Sequence, residues 1–254
     1  MTSPVLSRSN PLQRIRIVLS RTSHPGNIGA AARAMKTMGL SRLYLVAPKS
    51  FPDPQADAMA SGATDVLENA VVCASLEEAL ADTVFATALT ARRRGLAAEP
   101  LWARQAAAEL VAESQRENQC AEVALVLGNE SAGLTNGELA LCQRWASISA
   151  NPEFSSLNVA AALQILCYEL RLAAQDAGPP PPINDAGELA RFEEVEGLLG
   201  HLERAAIGSG FLDPAAPKRL MPRMRRLFGR ARLEKEEVCI LRGMLSSWEG
   251  KKPS

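Results

Sequence analysis

The sequence predicts an α/β domain built on a mainly parallel sheet, followed by a small all-α C-terminal domain. Three observations carry this. Strand-like and helix-like segments alternate through the first three-quarters of the chain. Several of the strands are apolar throughout, as strands covered on both faces of a parallel sheet are. Beyond four consecutive prolines, Pro179 to Pro182, only helical periodicity remains.

In order, "RIRIVLS" (14–20) reads as a buried strand, and "NIGAAARAMKTMG" as a helix that Gly39 closes at its C′ position. "RLYLVAP" (42–48) is the next strand, stopped by Pro48. "LEEALAD" (76–82) is a helix, "TVFATALT" (83–90) a strand and "PLWARQAAAELVAES" a further helix. "EVALVLG" (122–128) is a strand, "TNGELALCQ" a short helix and "WASISA" a strand. The last helix of this part starts near Ser156, with Val159, Leu163, Leu166 and Leu170 spaced by three or four. It ends in "AQDAGPPPPIND", where the prolines cannot continue a helix and favour an extended segment. The chain therefore divides into a domain at 1–175, a linker at 176–186 and a helical domain at 187–254.

Charge is segregated in the helical part. Residues 183–213 hold seven acids against Arg191 and Arg204, whereas residues 218–235 hold eight bases against Glu234. The basic stretch "KRLMPRMRRLFGRARLEK" is either the solvated face of a small bundle or a surface that follows a phosphate backbone.

Formal net charge is zero, so any nucleic-acid binding must come from such local clusters. No apolar run reaches the roughly 18 residues of a membrane span, and the N-terminus lacks the apolar stretch of a secretory signal. The five cysteines are scattered and odd in number, which fits a reduced, cytoplasmic setting. With two histidines in the chain, no multi-histidine metal site is expected.

Four strand ends carry unusual loops. In "SRTSHPGNIGAAARAM", Asn27 suits a helix N-cap, and Arg33 is the one charge among Ala30, Ala31, Ala32 and Ala34. It is either a surface arginine or one held in a tightly packed turn. "ALTARRRG" places Thr90 and three arginines after a strand. "LVLGNESAGLTNGEL" opens a strand into Gly-x-Glu-x-x-Gly, which is neither the dinucleotide fingerprint nor a P-loop. That disfavours a nucleotide-cofactor oxidoreductase. In "SISANPEFSSLNVAAALQILCYEL", Pro152 forces a loop, and Ser155 and Ser156 stand where they would cap the next helix.

Taken together, "NIGAAARAM", "LVLGNESAGL" and "ISANPEFSSLNVAAAL" resemble the three motifs of the SPOUT superfamily of RNA methyltransferases. Within it the chain resembles the TrmH-like 2′-O-methyltransferases, in the branch that modifies cytidine or uridine 32 of the tRNA anticodon loop. The likeness also covers "RRLFGRAR" and "ILRGML" near the C-terminus, and so nearly the whole chain.

The resemblance implies a trefoil-knotted fold and S-adenosylmethionine held in a bent conformation. The implied cofactor residues are Leu89, Thr90, Ala91, Gly128, Glu130, Ile148, Ser155, Ser156, Leu157 and Asn158. It implies that Arg33 is catalytic with Asn27 orienting it, and that no metal takes part. Arg92, Arg93 and Arg94 would hold tRNA phosphates, as would Arg223, Arg225, Arg226 and Arg230 in the helical part. A homodimer is implied, with an exposed apolar face of helix 156–174 suited to its interface. The helical part would grip the tRNA body, swinging on its proline linker.

Overall fold

The structure is a computed structural model describing residues 10–91, 100–116, 122–176 and 187–249. A short 3-10 turn, Pro11–Arg14, leads into β1 (Ile15–Ser20), α1 (Pro25–Met38) and β2 (Arg42–Val46). There follow α2 (Pro54–Ala60), α3 (Thr64–Glu68), β3 (Val71–Cys73), α4 (Leu76–Leu80) and β4 (Thr83–Leu89). Then come β5 (Leu101–Trp102), α5 (Ala103–Ser114), β6 (Glu122–Leu127), α6 (Asn136–Ala140), β7 (Arg144–Ser147) and α7 (Val159–Asp176). The helical part holds α8 (Phe192–Gly208), α9 (Leu220–Ala231) and α10 (Lys235–Glu249).

The seven strands lie in the order β3-β2-β1-β6-β4-β7-β5. Every ladder between them is parallel. As expected of such a sheet, β1 is buried at all its positions. Ile15, Ile17 and Leu19 enter one core cluster with Ile28, Met35, Leu110 and Leu163 from the helices on that face. Val18 enters a second cluster on the opposite face with Tyr44, Val126 and Leu139.

Gly39 ends α1 as the sequence requires. Its φ of 87° is left-handed, and its N–H and that of Leu40 return to Lys36 and Met35 carbonyls. Because all strands run the same way, the loops after β1, β4, β6 and β7 collect at one edge of the sheet, where open α/β folds place their ligands.

Several expectations need correction. The last domain helix starts at Val159, not near Ser156: Asn158 Oδ1 accepts from the N–H groups of Ala160 and Ala161, so Asn158 caps it in place of the serines. The apolar face of that helix is not exposed, because Val159, Leu163, Leu166 and Leu170 are buried in the core beside α1 and α5. The helix runs to Asp176, and residues 177–186 of the proline segment lie outside the described residues. Helices α2 and α3 and strands β3 and β5 were not anticipated; elements of two to seven residues are too short for periodicity to show.

The helical part is docked onto the sheet domain. Ala190, Leu198, Leu233, Val238 and Leu245 form its own small core. Phe192 leaves that core to join the sheet's second cluster. Arg232 forms a two-pronged ion pair with buried Glu113 of α5, and its guanidinium lies 5.0 Å from the Phe85 ring centre. Arg191 reaches Asp82 at 3.7 Å. A bundle tied at three places is seated, contrary to the swinging arm expected.

Candidate functional site

A cleft of about 520 Å³ opens at the carboxyl ends of β4, β6 and β7. Nine of the ten residues predicted to hold a cofactor line it: Leu89, Thr90, Ala91, Gly128, Glu130, Ile148, Ser155, Ser156 and Leu157. Asn158, exposed at the start of α7, does not line it. Sequence reasoning missed Pro100, Trp102, Val159 and Ala162, which also face the cleft. Val159 and Ala162 stood at the apolar end of the third motif, and Pro100 and Trp102 just before α5, where a helix start was the signal available.

The Gly-x-Glu turn is built around close backbone contact. A Cβ on Gly128 would lie 2.1 Å from the Gly133 carbonyl carbon, which leaves glycine the one residue that fits. Asn129 Oδ1 accepts from Ala132 N–H at 2.7 Å, and Gly133 N–H returns to Asn129 O at 3.1 Å. The loop thus closes on itself and projects Glu130 sideways towards the β1–α1 loop.

Glu130 is saturated there. One oxygen accepts from Ser23 N–H at 3.0 Å and Ser23 Oγ at 2.8 Å. The other accepts from His24 N–H at 3.2 Å and Asn27 Nδ2 at 2.8 Å. Burial pushes its pKa up, but the donors of Asn27 and Ser23 outweigh burial and hold it near about 2. A carboxylate so weakly basic is a fixed charge and tether, not a proton acceptor near neutrality. Ser23 was absent from the residues expected, although its place beside Asn27 in "TSHPGN" was visible.

Asn27 is therefore not the N-cap of α1. His24 holds that position, and Asn27 is the helix's third residue, with its carboxamide pointing across to the other loops. Its Oδ1 accepts from Asn158 Nδ2 at 3.0 Å. A relay Glu130–Asn27–Asn158 thus joins the loop after β6, the start of α1 and the start of α7.

Arg33 is exposed on α1 and does not line the cleft, so of the two readings the surface arginine holds and the tightly packed one does not. Nor does Asn27 orient it, since both ends of that carboxamide engage Glu130 and Asn158. Arg92, Arg93 and Arg94 lie outside the described residues.

The basic helix resolves into two groups. Arg225 donates from both terminal nitrogens to Glu196 of α8, so it is a structural ion pair and not an open phosphate ligand. Arg223, Arg226 and Arg230 are exposed. With Arg219 at the helix N-cap, their spacing of four, three and four puts the four side chains within an arc of about 60°.

Residues 14–168 match the SpoU rRNA Methylase family, and residues 193–253 match the C-terminal domain of the tRNA methyltransferase TrmJ. The chain is 47% identical over 241 residues to a Cronobacter sakazakii protein named tRNA (cytidine/uridine-2′-O-)-methyltransferase TrmJ, covering 94% of this chain and 97% of that one. It is 49% identical over 243 residues to the tRNA (cytidine/uridine/adenosine-2′-O-)-methyltransferase TrmJ of Pseudomonas aeruginosa, covering 92% and 93%. Among solved structures, TrmJ from Z. mobilis ZM4 superposes with a TM-score of 0.80 at 35% identity, over 92% of this chain and 98% of that one.

Proposed function

The chain belongs to the SpoU rRNA Methylase family, and on that premise we propose that it transfers a methyl group from S-adenosylmethionine to the ribose 2′-hydroxyl of cytidine or uridine 32 in the tRNA anticodon loop. The observation that carries the reading is the cleft itself. Separate stretches of chain converge on it at the strand carboxyl ends, tied by the Glu130–Asn27–Asn158 relay. The likeness to the two bacterial tRNA methyltransferases runs through the helical C-terminal part, which favours tRNA over ribosomal RNA.

The residues present fit the cofactor. Leu89, Ile148, Leu157 and Val159 offer apolar walls to an adenine ring, and Thr90, Ser155 and Ser156 bring hydroxyl and backbone groups to its polar parts. When bound, S-adenosylmethionine supplies a methyl group already activated by its sulfonium, so the chain's contribution is alignment. The relay fixes the loops that align it. Asn158 adds a second constraint by capping α7 just beyond Ser155 to Leu157.

The planar guanidinium of Arg33 suits it to stabilise the alkoxide developing at the 2′-oxygen. In this reading it acts on the cleft of a second copy, because it stands exposed on α1 away from its own cleft. Exposed Trp102 and Leu157 give such a homodimer apolar surface at the cleft, and Tyr168 adds exposed apolar area further along α7. The reading also threads the segment before α7 through an earlier loop as a trefoil knot; β7 entering the sheet between β4 and β5, both earlier in the chain, supports it. Arg92, Arg93 and Arg94, with Arg223, Arg226 and Arg230, hold tRNA phosphates. The setting is the reducing cytoplasm, in which Cys73, Cys142, Cys167 and Cys239 stay as the free thiols seen.

The test is label transfer from S-adenosylmethionine to unmodified tRNA transcripts, beside a transcript carrying 2′-deoxyribose at position 32 alone. Incorporation into the first and none into the second is expected. Equal labelling of both would move the reaction to another position. Labelling of ribosomal RNA with none of tRNA would overturn the substrate.

A further inference from the structure

Between the sheet domain and the helical part lies a second cavity, of about 350 Å³, within the roughly 300–1,000 Å³ range of small-ligand sites. Its walls are Leu139, Trp145, Phe192 and Leu199. The Trp145 ring is held in place, because its Nε1 donates to Leu139 O at 3.1 Å. The one carboxylate in the lining, Glu196, is already neutralised by Arg225. Arg226 and Arg230 of α9 also line it, and both are exposed. Neither has an ion-pair partner among the described residues. The cavity is therefore mostly apolar and aromatic inside, with Asn136, Gln143 and the Glu109-paired Arg144 also in its lining, and cationic at its mouth.

We propose that this cavity is a nucleotide subsite, which takes one splayed-out base of the bound tRNA against Trp145 and Phe192 while Arg226 and Arg230 hold its phosphate. The inference rests on the reading of α9 as an RNA-binding helix and deepens it. Arg226 and Arg230 belong to the same arc as Arg219 and Arg223, so a strand following that arc passes the cavity mouth. Unstacked bases find their binding energy on aromatic faces of this kind. A free mononucleotide shares the chemistry. The open stripe continuing beyond the mouth favours a base within a chain.

Gly229 provides the test. It lines the cavity from α9, and a Cβ there would meet nothing closer than Gln143 Cγ at 3.9 Å. Gly229→Ala is thus accommodated, and both it and Gly229→Leu favour the helix over glycine. Gly229→Leu would place a branched side chain in the cavity and take up part of its space. Binding of unmodified tRNA transcript is measured for the whole protein and both variants, with S-adenosylmethionine affinity as a check on the fold.

Gly229→Leu is expected to weaken tRNA binding about tenfold, the loss of one stacked base. Gly229→Ala should stay within about twofold and cofactor affinity should not move. Unchanged tRNA affinity in Gly229→Leu would overturn the subsite. The double variant Arg219→Ala/Arg223→Ala tests the underlying reading separately. If it binds tRNA as wild type does, α9 is not the RNA-binding helix, whatever Gly229→Leu shows. Quenching of Trp145 fluorescence by free cytidine or adenosine monophosphate, with tRNA binding unaltered in Gly229→Leu, would reassign the cavity to a free nucleotide and overturn the RNA subsite.

Discussion

Asn158 Nδ2 donates to Asn27 Oδ1 at 3.0 Å, joining residues 131 positions apart in the chain. The same Asn27 donates to Glu130 at 2.8 Å. The loop after β6, the first turn of α1 and the start of α7 are thereby set against one another by two carboxamides and a carboxylate.

Asn27→Ala removes both bonds and leaves Glu130 one donor short. A stability loss of about 1–2 kcal/mol is expected, most of it from the part-buried bond to Glu130 and little from the exposed bond to Asn158. Cofactor affinity should fall further than stability alone would imply, because the loops lose their relative position. Urea unfolding and calorimetric titration with S-adenosylmethionine separate the two. A variant that unfolds earlier yet binds cofactor as tightly as wild type would reduce the relay to a structural clamp.

The charge on Glu130 makes a prediction in pH. Its folded pKa, about 2, lies below the 4.5 of an unperturbed glutamate, so the folded state favours the ionised form. The contribution to stability is complete above about 4.5 and is lost as pH falls from there towards about 2. Glu130→Gln should be the less stable protein at neutral pH. The gap between urea midpoints of the two should close progressively across that acid window. A gap independent of pH would show that the hydrogen bonds, and not the charge, carry the effect.

Arg33→Ala should leave folding and cofactor binding near wild type, because the side chain is exposed. Methyl transfer should fall by about 10²–10³, the size of effect seen when a donor to a developing oxyanion is lost. Mixing it with an Asn158→Ala protein, whose own cleft is expected to bind cofactor weakly, tests action across a dimer. Recovery of activity in the mixed dimer is expected, whereas two inactive partners that stay inactive together would confine Arg33 to its own subunit.

Much of the domain was legible because both faces of the parallel strands are apolar, and because Gly39, Pro48 and the four prolines punctuate the chain. The cleft lining was legible through its motif loops. What stayed hidden depends on partners distant in sequence. Asn27 looked like a helix cap because local spacing suits one, and its carboxamide was claimed instead by Glu130 and Asn158. The apolar stripe of α7 looked like an interface because its period does not say what covers it; α1 and α5 do. Arg225 looked like its neighbours, and one step round the helix brought it against Glu196.

Docking of the helical part depends on Arg232 and Glu113. Glu113 is buried and keeps Arg116 at 3.0 Å when Arg232 is removed, so Arg232→Ala leaves its charge partly matched. A loss of about 1–3 kcal/mol is expected, together with the packing on Phe85. Arg232→Met restores apolar contact with that ring without the charge. If the pair seats the bundle for tRNA, both variants should bind tRNA less tightly while binding cofactor normally. Loss of thermal stability with tRNA affinity intact would make the contact purely structural.

The two kinds of arginine on α9 should differ in their response to salt. An arginine that neutralises a phosphate releases counterions, and its removal lowers the slope of log affinity against log salt by nearly one. Arg223→Ala should therefore weaken tRNA binding at low salt and flatten that slope. Arg225 is paired with Glu196 before any RNA arrives. Arg225→Ala should lower the melting temperature and leave the salt slope as it was. An equal flattening in both would mean that Arg225 abandons Glu196 on binding, and the stripe would then be five arginines wide instead of four.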